Sequence, residues 1–422
     1  MADKLIHTPE GVRDIYDAEC LQKLKVQEQI LKVLHLYGYR HIETPSFEFF
    51  DIFSKDRGSV SSQEMFKFFD RDNETLVLRP DMTPAIARCV SKYFADETMP
   101  LRLCYLERTF TNNTSYQGRL KEATQTGAEM IGDDSSDADG EMIAMVIDCL
   151  KAAGLESFQV ELGQVEFYLG LVEEAGIDLK TQEKLRELID NKNFFAVEEL
   201  LDSCAMSQRS REAFLRLPEL FGSIDQIRKA RELTENPRSL FAITRLEKVH
   251  EIMENYGLSG YVSYDLGMLS SYQYYTGIIF KAYTYGIGDH VVTGGRYDKL
   301  LQQFGKDAPA VGFGIAVDRL LMALASQKIR LEVETTETMI LFDVSARIPA
   351  LGMANSLRQQ SRQVVCQRKH QTPSVEDYIQ MARRAGMSQV FYVFGDGSQV
   401  KVYDVAAGTC RQVDLAVYLG EV

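Results

Sequence analysis

Apolar residues recur at helical spacing over residues 19–37, where Leu24, Ile30, Leu31 and Leu34 fall on one face. Gly38 is placed to end that helix as a C-terminal cap. Residues 39–45 then read as a strand stopped by Pro45. Residues 64–70 and 75–80 predict two strands around a turn at 71–74. Asp81-Met82-Thr83-Pro84 is a helix start, with the helix running through Arg88. Further strands are expected at 101–105 and 158–162, and an amphipathic helix at 138–153. From about 165 to 256 charged helical segments dominate, which predicts a helical insertion. Strand-rich sequence resumes at Tyr261 and runs to Val292, and 311–320 reads as a strand followed by a helix. Residues 331–337 are an acidic, Thr-rich linker. After it come a strand at 339–344, a helix at 350–360 and a strand at 389–394. The expected organisation is a larger domain over 1–330 and a small α/β domain over 339–422.

Composition narrows the function classes. The chain has 422 residues, 45% hydrophobic and 26% charged, as in ordinary globular proteins. No apolar run approaches the ~20 residues of a membrane span, and the first ten residues have no apolar core of a secretory signal. A net charge of −14 argues against a broad nucleic-acid surface and favours solubility. Arg362, Arg368, Lys369, Arg383 and Arg384 read as a solvated helix face rather than a binding patch. Seven scattered cysteines with no Cys-x-x-Cys predict buried, reduced thiols in a cytoplasmic protein, with neither a disulfide framework nor a zinc site. The six histidines (7, 35, 41, 250, 290, 370) do not cluster along the chain, and no metal is expected. Gly286-Ile287-Gly288 lacks the third glycine of a dinucleotide loop, there is no Walker-type loop, and no cofactor is expected.

Three segments carry the candidate chemistry: Gln125-Thr126-Gly127-Ala128-Glu129, Tyr274-Tyr275-Thr276-Gly277 and Thr293-Gly294-Gly295-Arg296-Tyr297-Asp298. Together they resemble the histidine pocket of histidyl-tRNA synthetase. The resemblance implies an α+β fold: a class II synthetase-like antiparallel sheet flanked by helices, with the helical insertion and the small C-terminal α/β domain. It places Asp81, Thr83 and Gln125 around the ligand's α-ammonium, and Glu129 and Tyr275 at its imidazole. Tyr274, Gly294, Gly295 and Arg296 would support the pocket. The synthetases have Glu where this chain has Asp81, so the reach is one methylene shorter. The helix and strand ending at Pro45 resemble the first class II motif and imply a dimer. Residues 311–320 resemble the third, whose Arg319 would lie over adenine; Ala316 stands where that family has a small Gly.

The catalytic arginines of that family are missing. Its motif Phe-Arg-x-Glu-Arg-Pro-x-x-Gly-Arg falls on residues 110–119, where Thr111 takes the Arg position and Asn113 the Glu position. Ser270 stands at a second catalytic Arg position. Carboxylate attack on the α-phosphate of ATP crowds negative charge, and losing one fixed donor costs ~10²–10³ in rate. A hydroxyl does not replace a guanidinium fork; Arg108, Arg119 and Lys121 are the nearby cations. A histidine pocket without its catalyst resembles the family of ATP phosphoribosyltransferase regulatory subunits. That resemblance implies no catalytic residues, a short-form catalytic subunit as partner, L-histidine as ligand, self-dimerisation and no tRNA. The alternatives are a divergent histidyl-tRNA synthetase and another synthetase paralogue.

Overall fold

A computed structural model describes residues 6–54, 60–113, 120–269, 274–333 and 336–421. The Ser270 position, and Arg119 with the rest of 114–119, lie outside these residues. Helix Asp17–Leu36 buries Val26, Ile30 and Leu34, spaced four apart as one helical stripe requires. Leu24 is instead 56% exposed, because two residues from Val26 it falls on another side of the helix. The helix ends at Gly38, whose φ of 83° only glycine adopts without penalty. The Gly38 amide donates to the His35 carbonyl and the Tyr39 amide to the Leu34 carbonyl.

The reversed chain enters a nine-stranded sheet. Its order is Arg40–His41, Leu101–Phe110, Glu122–Ile131, Ala310–Ala316, Val292–Arg296, Ile278–Thr284, Phe158–Gln164, Val262–Asp265 and Phe221–Gly222. From Leu101–Phe110 to Phe158–Gln164 every neighbouring pair is antiparallel. Arg40–His41 and Val262–Asp265 add in parallel on the two sides. One face is covered by helices Asp17–Leu36, Ser136–Ala152 and Pro237–Asn255 over one large core. A smaller cluster joins helix Thr83–Tyr93 to Leu103, Tyr105, Tyr274 and Tyr297.

The region from 165 to 256 is largely helical, but it is not a separate body. Its buried Leu185, Val197, Phe214 and Ile227 belong to the same core as the sheet. Its two-residue strand Phe221–Gly222 pairs with Val262–Asp265. Two compact units divide the chain, Met1–Leu331 and Glu332–Val422. The second is a five-stranded sheet in the order Val364–Arg368, Thr338–Phe342, Gln389–Phe394, Gln399–Asp404 and Thr409–Asp414. Its first three strands are parallel, and the last two add antiparallel. Arg362 and Arg383 there bond to neighbouring oxygens of their own unit.

Two expectations are corrected by folding. Only Cys104 and Cys149 are fully buried; Cys410 is exposed and the others are half-buried. Two of the six histidines do meet: His35, His41 and Cys104 place one ligand atom each within 4.8 Å of one another. The Gly38 turn folds His35 back over His41, and parallel pairing sets His41 opposite Cys104. The first pair is six residues apart and meets only through the turn between them; the second joins strands far apart in sequence. Among the described residues no helix is long and apolar enough to cross a membrane.

Candidate functional site

The register of the sheet builds the site. Leu103, Glu129, Gly312, Gly295 and Ile279 are successive cross-strand partners, so they form one row across five strands. Strand alternation puts Gln125, Gly127 and Glu129 on one face. Gly312 makes room for the acid: a Cβ there would lie 1.6 Å from a Glu129 Oε. Gly295 does the same for the Tyr275 ring, 2.8 Å from where its Cβ would be. Gly314 leaves space for the Gln125 amide.

Glu129 is 1% exposed. The Thr83 hydroxyl donates to one carboxylate oxygen at 2.8 Å and the Tyr297 hydroxyl to the other at 2.5 Å. Burial lifts the Glu129 carboxyl to about 8; those two hydrogen bonds pull down and the Asp81 charge adds to the rise. Asp81 accepts the Met82 amide at 2.7 Å, at the start of helix Thr83–Tyr93, and the Tyr274 hydroxyl at 3.0 Å. One carboxylate therefore orders a helix start and reaches into the site. Tyr274 packs edge-on against both Tyr275 and Tyr297, with centroids 4.9 and 5.9 Å apart. The Thr276 amide donates to the Arg296 carbonyl at 2.8 Å, which pins these tyrosines to the end of strand Val292–Arg296. Among the described residues the buried side-chain oxygen of Gln125 has no hydrogen-bond partner, which leaves it as an acceptor for a ligand donor.

Asp81, Thr83, Glu129, Tyr274, Tyr275 and Gly295 thus come together. Gly294 and Arg296 do not. Each is one residue from Gly295, so the pleat turns them to the helix-covered face. A Cβ on Gly294 would meet the Phe280 ring at 2.2 Å. Arg296 is 4% exposed and is bound to Asp139, Asp298 and the Asp133 carbonyl. Arg245 grips the other oxygen of Asp139 at 2.7 Å. Arg296 is structural and presents no cation to a ligand. Tyr297 and Gly312 are the residues that sequence reasoning missed. Alternation from Gly295 was the available signal for Tyr297; Gly312 had none without the register.

Around the expected catalytic positions the structure is short of free cations among the described residues. The Thr111 amide closes the hairpin on the Lys121 carbonyl at 2.9 Å. The Asn113 amide group donates to the Leu120 carbonyl at 3.3 Å. Arg108 alternates with Glu107 and so leaves the face that carries Gln125 and Glu129. It pairs with Glu122 at 2.5 Å and lines a cavity of about 770 Å³ with Lys23, Arg79 and Asp318. The Lys121 stem packs against Gly11. Arg319 is held by Asp289 and the His290 carbonyl, both at 3.0 Å. The His290 hydrogen bond and the Arg319 charge hold Asp289 below the usual carboxylate range.

The histidyl-tRNA synthetase family profile matches residues 11–320. An ATP phosphoribosyltransferase regulatory subunit from Acetivibrio thermocellus is 43% identical over 360 residues, covering 85% of this chain and 86% of that one. The chain belongs to the ATP phosphoribosyltransferase regulatory subunit family. A second member, from Ruminiclostridium cellulolyticum, is 38% identical over 400 residues and covers 95% of both chains. A crystal structure described as an ATP phosphoribosyltransferase regulatory subunit/histidyl-tRNA synthetase, from Bacillus halodurans, superposes with a TM-score of 0.84. It is 33% identical over 93% of this chain and 99% of that one. Histidyl-tRNA synthetase from Nostoc reaches a TM-score of 0.81 at 20% identity, over 99% of this chain and 98% of that one. That likeness is one of fold. The regulatory subunit family and the synthetase thus share the α+β class II architecture, an antiparallel sheet flanked by helices.

Proposed function

We propose that this chain is a non-catalytic regulatory subunit of ATP phosphoribosyltransferase. In this reading it is a cytoplasmic protein that senses free L-histidine. It activates a short-form catalytic subunit, which condenses ATP with phosphoribosyl pyrophosphate in the first step of histidine biosynthesis. The observation that carries the reading is the pairing of a buried acceptor set with an uncatalytic hairpin. Asp81, Gln125 and Glu129 offer oxygens to an ammonium and an imidazole N–H. Thr111 stands where a transition-state cation would have to be.

Feedback on this reading is a coupling free energy between the histidine site and the partner's active site, typically ~1–3 kcal/mol. L-Histidine biases the assembly only by its differential affinity for the active and inactive arrangements. Self-association through the segment around Pro45 supplies the symmetric frame on which short catalytic chains assemble. No tRNA enters the scheme.

The test is phosphoribosyl-ATP formation by the short catalytic chain, with and without this protein and L-histidine. The expected result is activity that requires this chain and is inhibited by histidine, with inhibition weakened by Glu129→Ala. A short chain equally active and equally histidine-sensitive alone overturns the reading. So does histidine-dependent exchange of pyrophosphate into ATP by this chain at an ordinary enzymatic ~1–10³ s⁻¹.

A further inference from the structure

His35 stands in the last turn of helix Asp17–Leu36, His41 in strand Arg40–His41 and Cys104 in strand Leu101–Phe110. Their ligand atoms all lie within 4.8 Å of one another. The two imidazole centroids are 6.4 Å apart with their planes at 70°, an edge-to-face arrangement. Both rings are exposed, while Cys104 is fully buried beneath them. Among the described residues neither ring has a hydrogen bond or ion pair. Among the described residues the thiol's one hydrogen bond is donated to the Tyr39 carbonyl at 3.7 Å. In the single chain the two rings are open to solvent, and the thiol lies buried next to them.

We propose that His35, His41 and Cys104 form a binding site for a divalent transition metal of the zinc class, with the fourth position open to water. Two imidazoles and a sulfur are borderline-to-soft donors, which select zinc, cobalt, nickel or copper over magnesium and calcium. Zinc lies ~2.0–2.1 Å from nitrogen and ~2.3 Å from sulfur, so tetrahedral ligand atoms sit roughly 3.5 Å apart. Closing from the present spacing to that distance asks the two exposed imidazoles to turn toward the Cys104 sulfur. The thiol binds as thiolate and gives its proton to solvent. Such a metal would tie the end of the helix to the first two strands. The site uses none of the residues of the proposed histidine pocket, so the two ideas stand or fall separately.

The test uses the full chain, free of any affinity tag, reduced and stripped of metal with a chelator. It is titrated with Co²⁺ and followed by absorption. The expected result is a thiolate-to-cobalt charge-transfer band with visible ligand-field bands, saturating at one metal per chain and displaced by Zn²⁺. The melting temperature should rise with the metal, since binding favours the folded state. His35→Gln, on an exposed side chain, should weaken binding at least tenfold. Cys104→Ser should abolish the charge-transfer band. No band in the wild type with excess Co²⁺ overturns the proposal. A band that is unchanged in both variants also overturns it, because the thiolate would then be another cysteine.

Discussion

Glu129 is a buried acid whose charged neighbour Asp81 is also an acid, and this sets a pH dependence. Its carboxyl is raised from 4.5 to about 8, first by burial. The folded state then holds a proton that the unfolded chain has already released. Its stabilising contribution is complete below about 4.5 and is lost as pH rises toward about 8. Urea unfolding of wild type and Glu129→Gln should show the wild type losing ground over that window, by up to about 1.4 kcal/mol per pH unit. A difference that does not change with pH would remove this account of Glu129. Gly312 supports a second prediction. Gly312→Ala places a methyl group 1.6 Å from the acid, and such overpacking costs ~1–3 kcal/mol. Calorimetry should show L-histidine binding at least tenfold weaker in Gly312→Ala. Gly288→Ala, which meets nothing within 4 Å, should bind like wild type. The family resemblance named Asp81, Thr83, Glu129 and Tyr275, and the fold brings these residues together. The resemblance could not separate Gly294 from Gly295, since adjacent strand residues differ only in which face they take.

At the scale of elements, the two sides of the sheet have different duties. Arg296 leaves strand Val292–Arg296 on the helical side and meets Asp139 of helix Ser136–Ala152. Arg245 of helix Pro237–Asn255 reaches the same carboxylate. Three elements are fastened by one buried acid. Removing one member of a buried ion network costs ~3–5 kcal/mol, because the remaining charge is left without compensation. Arg296→Ala should lower the unfolding free energy by that amount in a denaturant titration. A loss below about 1 kcal/mol would show that the network is dispensable. Helices and strands with strong periodicity were legible in the sequence, as with residues 389–394, which form the strand Gln389–Phe394. The extent of strand Leu101–Phe110 was not, because its outer half is polar and is held by pairing with Glu122–Ile131. The meeting of His35, His41 and Cys104 was also illegible, since it depends on a turn and a distant strand at once.

For the whole molecule, the candidate histidine site belongs to one unit. Asp81, Thr83, Gln125, Glu129, Tyr275 and Tyr297 all precede Leu331, the end of the first unit. The apolar clusters also respect that boundary: those of the second unit draw only on residues after Glu332. A chain cut to residues 1–331 should fold and bind L-histidine within about threefold of the full chain, which equilibrium dialysis would measure; a tenfold difference is only ~1.4 kcal/mol. Loss of all binding in a folded fragment would assign the tail a part in the site. The short strand Phe221–Gly222 has a different consequence. It covers the outer side of Val262–Asp265, and the Leu266 amide continues the contact to the Leu220 carbonyl. The insertion is thus also the sheet's selvedge. Anyone trimming this protein toward a minimal sensor would, by excising 165–256, unpick that hem and leave a bare strand to stitch one molecule onto the next.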